Sequence, residues 1–99
     1  MLKDSRKIQV VDLGAGSKKL DASTRIVKDI AKLSVKKSKF AEVLFRLIDK
    51  KDIQKTIELG TSLCVTTGYL AMANKRGKVI TLEGCRETLK IATENFNEL

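Results

Sequence analysis

Two short apolar runs in the C-terminal half of the chain constrain its fold more than any other feature. The first run, residues 56–59, leads into a turn at Gly60, and the second, residues 79–82, is followed by an acid and a glycine. A helix-length gap separates them, so the pattern predicts strand, turn, helix and strand. Because a crossover helix joins parallel strands, both strands should end at the same edge of one sheet.

An acidic residue lies at the end of each predicted strand, Glu58 in the first and Glu83 after the second. Ligands of open α/β sheets bind in the crevice outside the carboxyl ends of the strands. Carboxylates in such a crevice accept hydrogen bonds from vicinal hydroxyls and favour a nearby cation, whereas they repel a pyrophosphate. The two acids therefore predict a ligand that carries ribose hydroxyls and positive charge.

The nine residues 58–66, with the sequence ELGTSLCVT, resemble the first motif of class I S-adenosylmethionine-dependent methyltransferases. The variant they resemble is that of small-molecule O-methyltransferases: acid, apolar residue, glycine, three residues, glycine, apolar or aromatic residue, serine. In that family the glycine backbone and the hydroxyl contact the methionine moiety, and the acid ending the second strand holds the ribose. The resemblance implies that the protein is a methyltransferase with S-adenosyl-L-methionine as cofactor. The cofactor-binding residues would be Glu58, Gly60, Thr61, Ser62, Thr66 and Glu83.

Cys64 departs from this pattern, because the family has glycine at that place, and a side chain there would crowd the ligand or the turn. The competing dinucleotide-binding fingerprint needs the glycines of G-x-G-x-x-G, but this turn contains only Gly60. Those glycines let backbone amides approach a pyrophosphate, so their absence favours S-adenosylmethionine over NAD. The remaining alternative is an unrelated βαβ unit that has acids at its strand ends.

The fold class that the resemblance implies is α/β, the N-terminal part of a Rossmann-like methyltransferase fold. Helices would come first, followed by a β-α-β-α unit with parallel strands. We divide the chain into an N-terminal arm with a glycine turn (1–22), a helical segment (23–52) and that first β-α-β-α unit (53–99). A complete domain of this class has further strands, so we expect a truncated, cofactor-binding portion. Bare sheet edges and one poorly covered face should make it prone to self-association.

Apolar periodicity predicts two helices ahead of that unit. Ser23 or Thr24 can cap the first helix, and Ser38 can cap the second. The apolar residues that recur at helical spacing are Ile26, Val27, Ile30, Ala31 and Leu33 in the first helix and Phe40, Val43, Leu44, Leu47 and Ile48 in the second. We expect these stripes to face the core.

Within the β-α-β-α unit, the pattern predicts a crossover helix over 65–73, a strand over 78–82 and a last helix from Arg86. The last helix should bury Leu89, Ile91 or Ala92, and Phe96. Tyr69 lies on the crossover helix and is expected to pack rather than to act in catalysis. We can name no catalytic residue, and we expect the methyl acceptor to be a small molecule.

A second glycine turn lies near the N-terminus, in residues 10–17 (VVDLGAGS). No second strand and acid follow it at the needed distance, so we interpret it as an N-terminal strand or extended arm with a loop before the first helix. The functional alternative is that this arm folds over the crevice. Asp12 and Ser17 are therefore further site candidates.

The net charge of +8 comes from the N-terminal part of the chain, because residues 1–55 contain fifteen Lys or Arg and seven acids, whereas residues 56–99 contain five of each. Such a surface can attract nucleic acid, with Lys36, Lys37 and Lys39 near its centre. Helical spacing places the adjacent Phe40 in the core, so we predict no stacking platform and do not favour nucleic acid. The alternative to an enzyme is a small basic module that binds nucleic acid or a protein partner.

Cys64 and Cys85 form no C-x-x-C pair and the chain contains no histidine, so we predict no metal site. We interpret both cysteines as small, semi-buried thiols, and Cys85 can have a lowered pKa because it precedes a helix. The sequence has neither a long apolar run nor a signal-peptide pattern at its start. We therefore expect no membrane partner and a cytoplasmic location.

Overall fold

The computed structural model describes residues 1–11, 23–34 and 38–98. Over these ranges the protein is mixed α/β, with four helices and two separate two-stranded sheets, one of them parallel. The site candidates Asp12 and Ser17, and the basic residues Lys36 and Lys37, lie outside the described residues. In chain order the elements are β1 (Lys7–Val10), β2 (Ser23–Ile26), α1 (Val27–Ser34), α2 (Ser38–Lys51), β3 (Lys55–Leu59), α3 (Val65–Ala73), β4 (Lys78–Leu82) and α4 (Arg86–Asn97).

The parallel pair of β3 and β4, joined by α3, confirms the predicted strand, turn, helix and strand. Ile57 lies opposite Ile80 and Leu59 opposite Leu82, so both strands end at one edge. The predicted bounds of α3 and β4 and the start of α4 are also confirmed. This unit brings the turn after β3 next to the end of β4.

The antiparallel pair of β1 and β2 corrects the start of the first helix, and β1 overlaps the predicted N-terminal segment 10–17 only at Val10. Residues 23–26 pair with β1, with Ser23 opposite Val10, so α1 begins only at Val27. Thr24 therefore does not cap a helix. Its hydroxyl instead accepts a hydrogen bond from the Gln9 side chain at 2.7 Å. The β-branched residues of this segment suit a strand, and the pairing with β1 overrides the helical spacing that includes Ile26.

Two apolar clusters form the core of the described part of the chain. The first cluster contains residues of β1, of α1, of α4 and of the turn that follows β3. The second contains residues of α2 and α3 and is flanked by Val79 of β4. The members of the first are Ile8, Val27, Ile30, Ala31, Leu63 and Ile91. Those of the second are Ile48, Leu70 and Ala73, with Phe45, Ile53 and Val79 packed against them.

Several residues that periodicity assigned to the core are exposed, and these predictions were wrong. The exposed residues are Leu33, Phe40, Val43, Leu44, Leu47, Leu89 and Phe96. Helix α2 has two apolar stripes, and only the one with Ala41, Phe45 and Ile48 is covered. The other stripe, with Phe40, at 62 % exposure, faces away from the core. Periodicity shows which residues share a face, but not whether the chain covers that face.

One face of the parallel sheet is uncovered, as the sequence predicted. Side chains alternate between the two faces of a strand, and those toward α3, such as Val79 and Thr81, are half-buried. On the other side Ile57 is 68 % and Leu59 80 % exposed. We call this side the bare face; it consists of Lys55, Ile57, Leu59, Lys78, Ile80 and Leu82. No helix in the described ranges is long and apolar enough to cross a membrane.

Candidate functional site

The turn after β3 folds across the carboxyl end of β4. The backbone N–H of Gly60 donates to the carbonyl of Leu82 at 2.8 Å, and that of Thr61 donates to the same carbonyl at 3.2 Å. Ligands of open α/β sheets bind outside the carboxyl ends of the strands, which is where this turn lies. The turn is therefore the structural centre of the predicted site.

Three residues of this turn have a left-handed backbone: Gly60 with φ 91°, Ser62 with φ 50° and Cys64 with φ 71°. Glycine adopts this conformation without steric cost, whereas a residue with a Cβ adopts it at a cost of about 1 kcal/mol or more. Cys64 stands where the methyltransferase pattern has glycine, and its backbone has the conformation that favours glycine. A cleft opens beside this turn. The side chain of Cys64 is buried and does not line this cleft, so the thiol does not narrow it.

Glu58 is held by hydroxyl groups from two neighbouring elements. Its Oε2 accepts a hydrogen bond from Thr67 of α3 and another from Thr81 of β4 at 2.7 Å. The hydroxyl of Thr81 also lies 2.6 Å from that of Thr61 in the turn. Because the carboxylate is half-buried and has two donors, its position is fixed relative to the turn, α3 and β4.

Thr67 and Thr81 were not among the site residues predicted from the sequence. Thr81 lies opposite Glu58 in the β3–β4 pair, so both side chains are on the same face of the sheet. A hydroxyl residue paired with a carboxylate residue is the pattern that would have identified Thr81. That signal depends on the strand register, which the sequence pattern left open.

Glu83 connects the turn to the last helix. Its Oε2 accepts a hydrogen bond from the backbone N–H of Ser62 at 2.9 Å, and its Oε1 accepts one from that of Cys85 at 3.0 Å. An ionised carboxylate has about four acceptor positions, so each oxygen can still accept a hydroxyl. Glu83 is the one cofactor-binding candidate that does not line the cleft beside the turn.

A cleft of about 530 Å³ opens beside the end of β3, a volume within the usual range of small-molecule sites. Among the described residues that line it, none is a lysine or an arginine, and Glu58 is the one that is charged. Such a lining suits hydroxyl, amino or sulfonium groups and disfavours phosphate. The candidates that it brings together are Glu58, Gly60, Thr61, Ser62 and Thr66, and its apolar wall includes Leu33, Phe40, Leu44, Ile57 and Leu59.

The start of α3 also faces this site. No side chain caps the helix N-terminus at Cys64, and the N–H groups of a first helical turn have no partner within the helix. Together with the helix dipole they favour a negatively charged group. The carboxylate of Glu58 lies beside this helix start, because Thr67 in the first turn of α3 donates to it.

Both cysteines are buried, more completely than the semi-buried thiols that the sequence predicted. Burial raises the pKa of the Cys64 thiol, although the Thr67 hydroxyl opposes this effect. Burial also acts to raise the pKa of Cys85, but polar groups near the thiol, Thr88 first and then backbone N–H groups, outweigh it and lower the pKa, the direction that the sequence predicted. Cys85 is only 3 % exposed, and its thiol donates to the Gln9 carbonyl at 3.4 Å. Neither thiol is placed to react with a ligand in the cleft.

Within the described ranges, no group of three or more Cys, Asp or Glu side chains is arranged to hold a metal ion. No family model, curated protein or solved structure matches the chain. Any functional assignment therefore rests on the residues of the chain and on their geometry.

Proposed function

We propose that this chain is the cofactor-binding N-terminal portion of a class I methyltransferase and that its parallel unit begins a Rossmann-like sheet. The observation that carries the proposal is the cleft at the end of β3. It brings together the carboxylate, glycine and hydroxyl groups of the motif-like turn, in five of the six candidate positions. The left-handed backbone of Cys64, at a glycine position of the pattern, supports the same alignment.

The open side of Gly60 gives a ligand access to the backbone of the turn. A Cβ placed on Gly60 would have no atom within 4 Å, so a ligand can approach this side closely. The hydroxyls of Ser62 and Thr66 would bind the amino-acid end of S-adenosyl-L-methionine, and the uncapped start of α3 would stabilise its carboxylate. The acceptor positions left on Glu83 would receive the ribose hydroxyls.

Bound at this place, S-adenosyl-L-methionine would supply a methyl group activated by its sulfonium sulfur. The residues of the chain would bind and orient it, because methyl transfer depends chiefly on the alignment of the two reactants. Glu58, fixed by Thr67 and Thr81, would favour the positive charge of the ligand. The residues that select and activate a small-molecule methyl acceptor would belong to further parts of such an enzyme.

Titration of S-adenosyl-L-methionine into the ¹⁵N-labelled chain, followed by NMR, tests the proposal. We expect weak binding, with a dissociation constant of about 1 mM or a free energy of about −4 kcal/mol, because the adenine pocket would be incomplete. Chemical-shift changes should centre on residues 58–66 and should not occur with NAD. Thr66→Val should weaken binding, whereas the matched change Thr93→Val, on the exposed side of α4, should not. Equal responses to both compounds would contradict the proposal.

A protein-binding module is the second candidate, and the bare face favours it. An exposed apolar surface of this kind marks a protein contact more often than a nucleic-acid contact. Phe40, next to Lys39, was expected in the core but is exposed. An aromatic residue is therefore available beside the basic residues, and one reason for rejecting nucleic acid no longer holds. A single aromatic residue is nevertheless a poor stacking platform, so nucleic acid stays the less favoured partner.

A further inference from the structure

A continuous apolar surface extends from the bare face to α2. On the sheet, Ile80 is 44 % and Leu82 54 % exposed, in addition to Ile57 and Leu59. Phe40 and Leu44 of α2 line the same cleft as Ile57 and Leu59, so the two groups of side chains adjoin. The exposed stripe of α2 continues with Val43 and Leu47.

The size of this surface matches that of a protein interface. Its eight apolar side chains expose about 700 Å² if each contributes about 90 Å². The largest apolar patch of a typical monomer covers about 300–600 Å², and each partner of a stable complex buries about 800 Å². Stable burial of this surface therefore requires another structural element.

Two lysines lie at one end of the bare face. Lys55 and Lys78 are register partners at the start of β3 and β4, and both are exposed. Neighbouring strands are about 4.8 Å apart, so the two side chains start close together. Neither lysine takes part in the ion pairs of the described residues. The surface is thus apolar over most of its length and positively charged at one end.

This charge disfavours a second copy of the chain as the occupant. A two-fold axis parallel to the strands would place the lysines of one copy on those of the other. An axis across the strands would place them on Leu59 and Leu82 of the partner, where Glu83 follows β4 but both of its carboxylate oxygens already accept backbone N–H groups. The first arrangement buries unpaired positive charge, and the second offers the lysines only a carboxylate that is already engaged, so both are unfavourable.

We propose that the bare face and the exposed stripe of α2 bind an amphipathic helix whose C-terminal turn carries acidic residues. Its apolar side would cover Ile57, Leu59, Ile80 and Leu82. Its carboxylates and the negative end of its dipole would lie over Lys55 and Lys78. The helix would therefore run antiparallel to the two strands. Ile57 and Leu59 also line the cleft of the proposed cofactor site, but the docking is inferred from the apolar surface and the two lysines and does not rest on the proposed function.

The dimensions of the sheet define the probe. Each strand has five residues and is about 16 Å long, so a helix of about 11 residues spans it. Isolated helices of that length are marginal in water, and a peptide of about 20 residues is a better probe. One amidated peptide carries leucines at i, i+3, i+4 and i+7 and glutamates in its last turn. A second has lysines in that turn, and a third has the composition of the first with its leucines spread around the helix.

Fluorescence anisotropy of the three labelled peptides with the full chain tests the proposal. We expect the glutamate peptide to bind at least about tenfold more tightly than the lysine peptide, a difference of about 1.4 kcal/mol. The peptide with scattered leucines should not bind. Equal affinity for the first two peptides, or no binding of the first, would overturn the proposal.

Variants of the chain locate the binding surface. The double change Lys55→Glu and Lys78→Glu should reverse the preference between the two peptides, and Ile80→Ser with Leu82→Ser should abolish binding. Met72→Ser is the matched control, because Met72 is 65 % exposed on α3 and lies outside this surface. Circular dichroism checks that each variant folds. Sedimentation that shows a dimer lost on Ile80→Ser with Leu82→Ser would make a second copy the occupant and overturn the proposal.

Discussion

The carboxylate of Glu83 accepts a hydrogen bond from the backbone N–H of Ser62, 21 residues earlier, at 2.9 Å. Ser62 has a left-handed backbone, so this bond holds a costly conformation in place. The other oxygen of Glu83 accepts from Cys85, directly before α4. One side chain thus stabilises both the turn of the candidate site and the start of the last helix, whatever further role it has toward a ligand.

Replacement of Glu83 should destabilise the fold before any ligand is considered. Glu83→Ala removes two charge-assisted hydrogen bonds and should lower the free energy of unfolding by about 2 kcal/mol. Glu83→Gln keeps one acceptor oxygen and should lower it by less. Urea denaturation followed by circular dichroism measures both, with Glu42→Ala on the exposed side of α2 as the control. An unfolding midpoint of Glu83→Ala equal to that of the wild type would contradict a structural role.

Glycine should be tolerated better than alanine at Cys64. Cys64→Gly relieves the left-handed strain, by about 1 kcal/mol, and this gain offsets much of the lost side-chain burial. Cys64→Ala keeps the strain and loses the thiol, so it should destabilise by about 1–2 kcal/mol. Guanidinium unfolding of the two variants compares them directly. Equal or greater stability of the alanine variant would show that φ 71° at this position carries no cost.

A side chain at Gly77 should displace the start of β4. A Cβ there would overlap the side chain of Asn74 and the backbone carbonyl of Gln54. That carbonyl accepts the N–H of Lys78 at 2.8 Å, so it cannot move freely. We expect Gly77→Ala to cost about 2–3 kcal/mol, measured by thermal unfolding. Gly60→Ala, which has open space but φ 91°, should cost about 1 kcal/mol, and the reverse order would contradict this explanation.

The N-terminal segment should loosen in acid. The side-chain hydrogen bond from Arg6, followed by its backbone N–H, lowers the pKa of Asp4 below its usual value of 3.8. A lowered native pKa adds stability above pH 3.8, and this stability is lost as the pH falls through the native pKa. The wild type should therefore exceed Asp4→Asn in urea resistance at pH 6, and the two should converge as the pH falls through the native pKa of Asp4. Because the pair is at the surface, the difference should be small. A difference in urea resistance between the two proteins that does not change with pH would contradict the role of this carboxylate.

The sequence indicates which residues of the turn are candidates for a site, but not the hydrogen bonds that connect them. Glu58, Gly60, Thr61, Ser62 and Thr66 came from a motif in one short segment, and the turn brings them to one cleft. The bonds that Glu83 and Glu58 make depend on the β3–β4 register and on the backbone of the turn. The register and the backbone of the turn are in turn set by contacts between residues about 20 positions apart.

The sequence by itself determined the elements whose signals are local. The bounds of α3 and β4 and the start of α4 follow from apolar periods and turn residues within a few positions. Only the tertiary structure decided that residues 23–26 join β1 as a strand and that Phe40 and Leu33 stay exposed. The physical reason is that strand pairing and burial need a partner from a distant part of the chain. A helical or apolar pattern reveals a face, whereas the packing of other elements decides whether that face is covered.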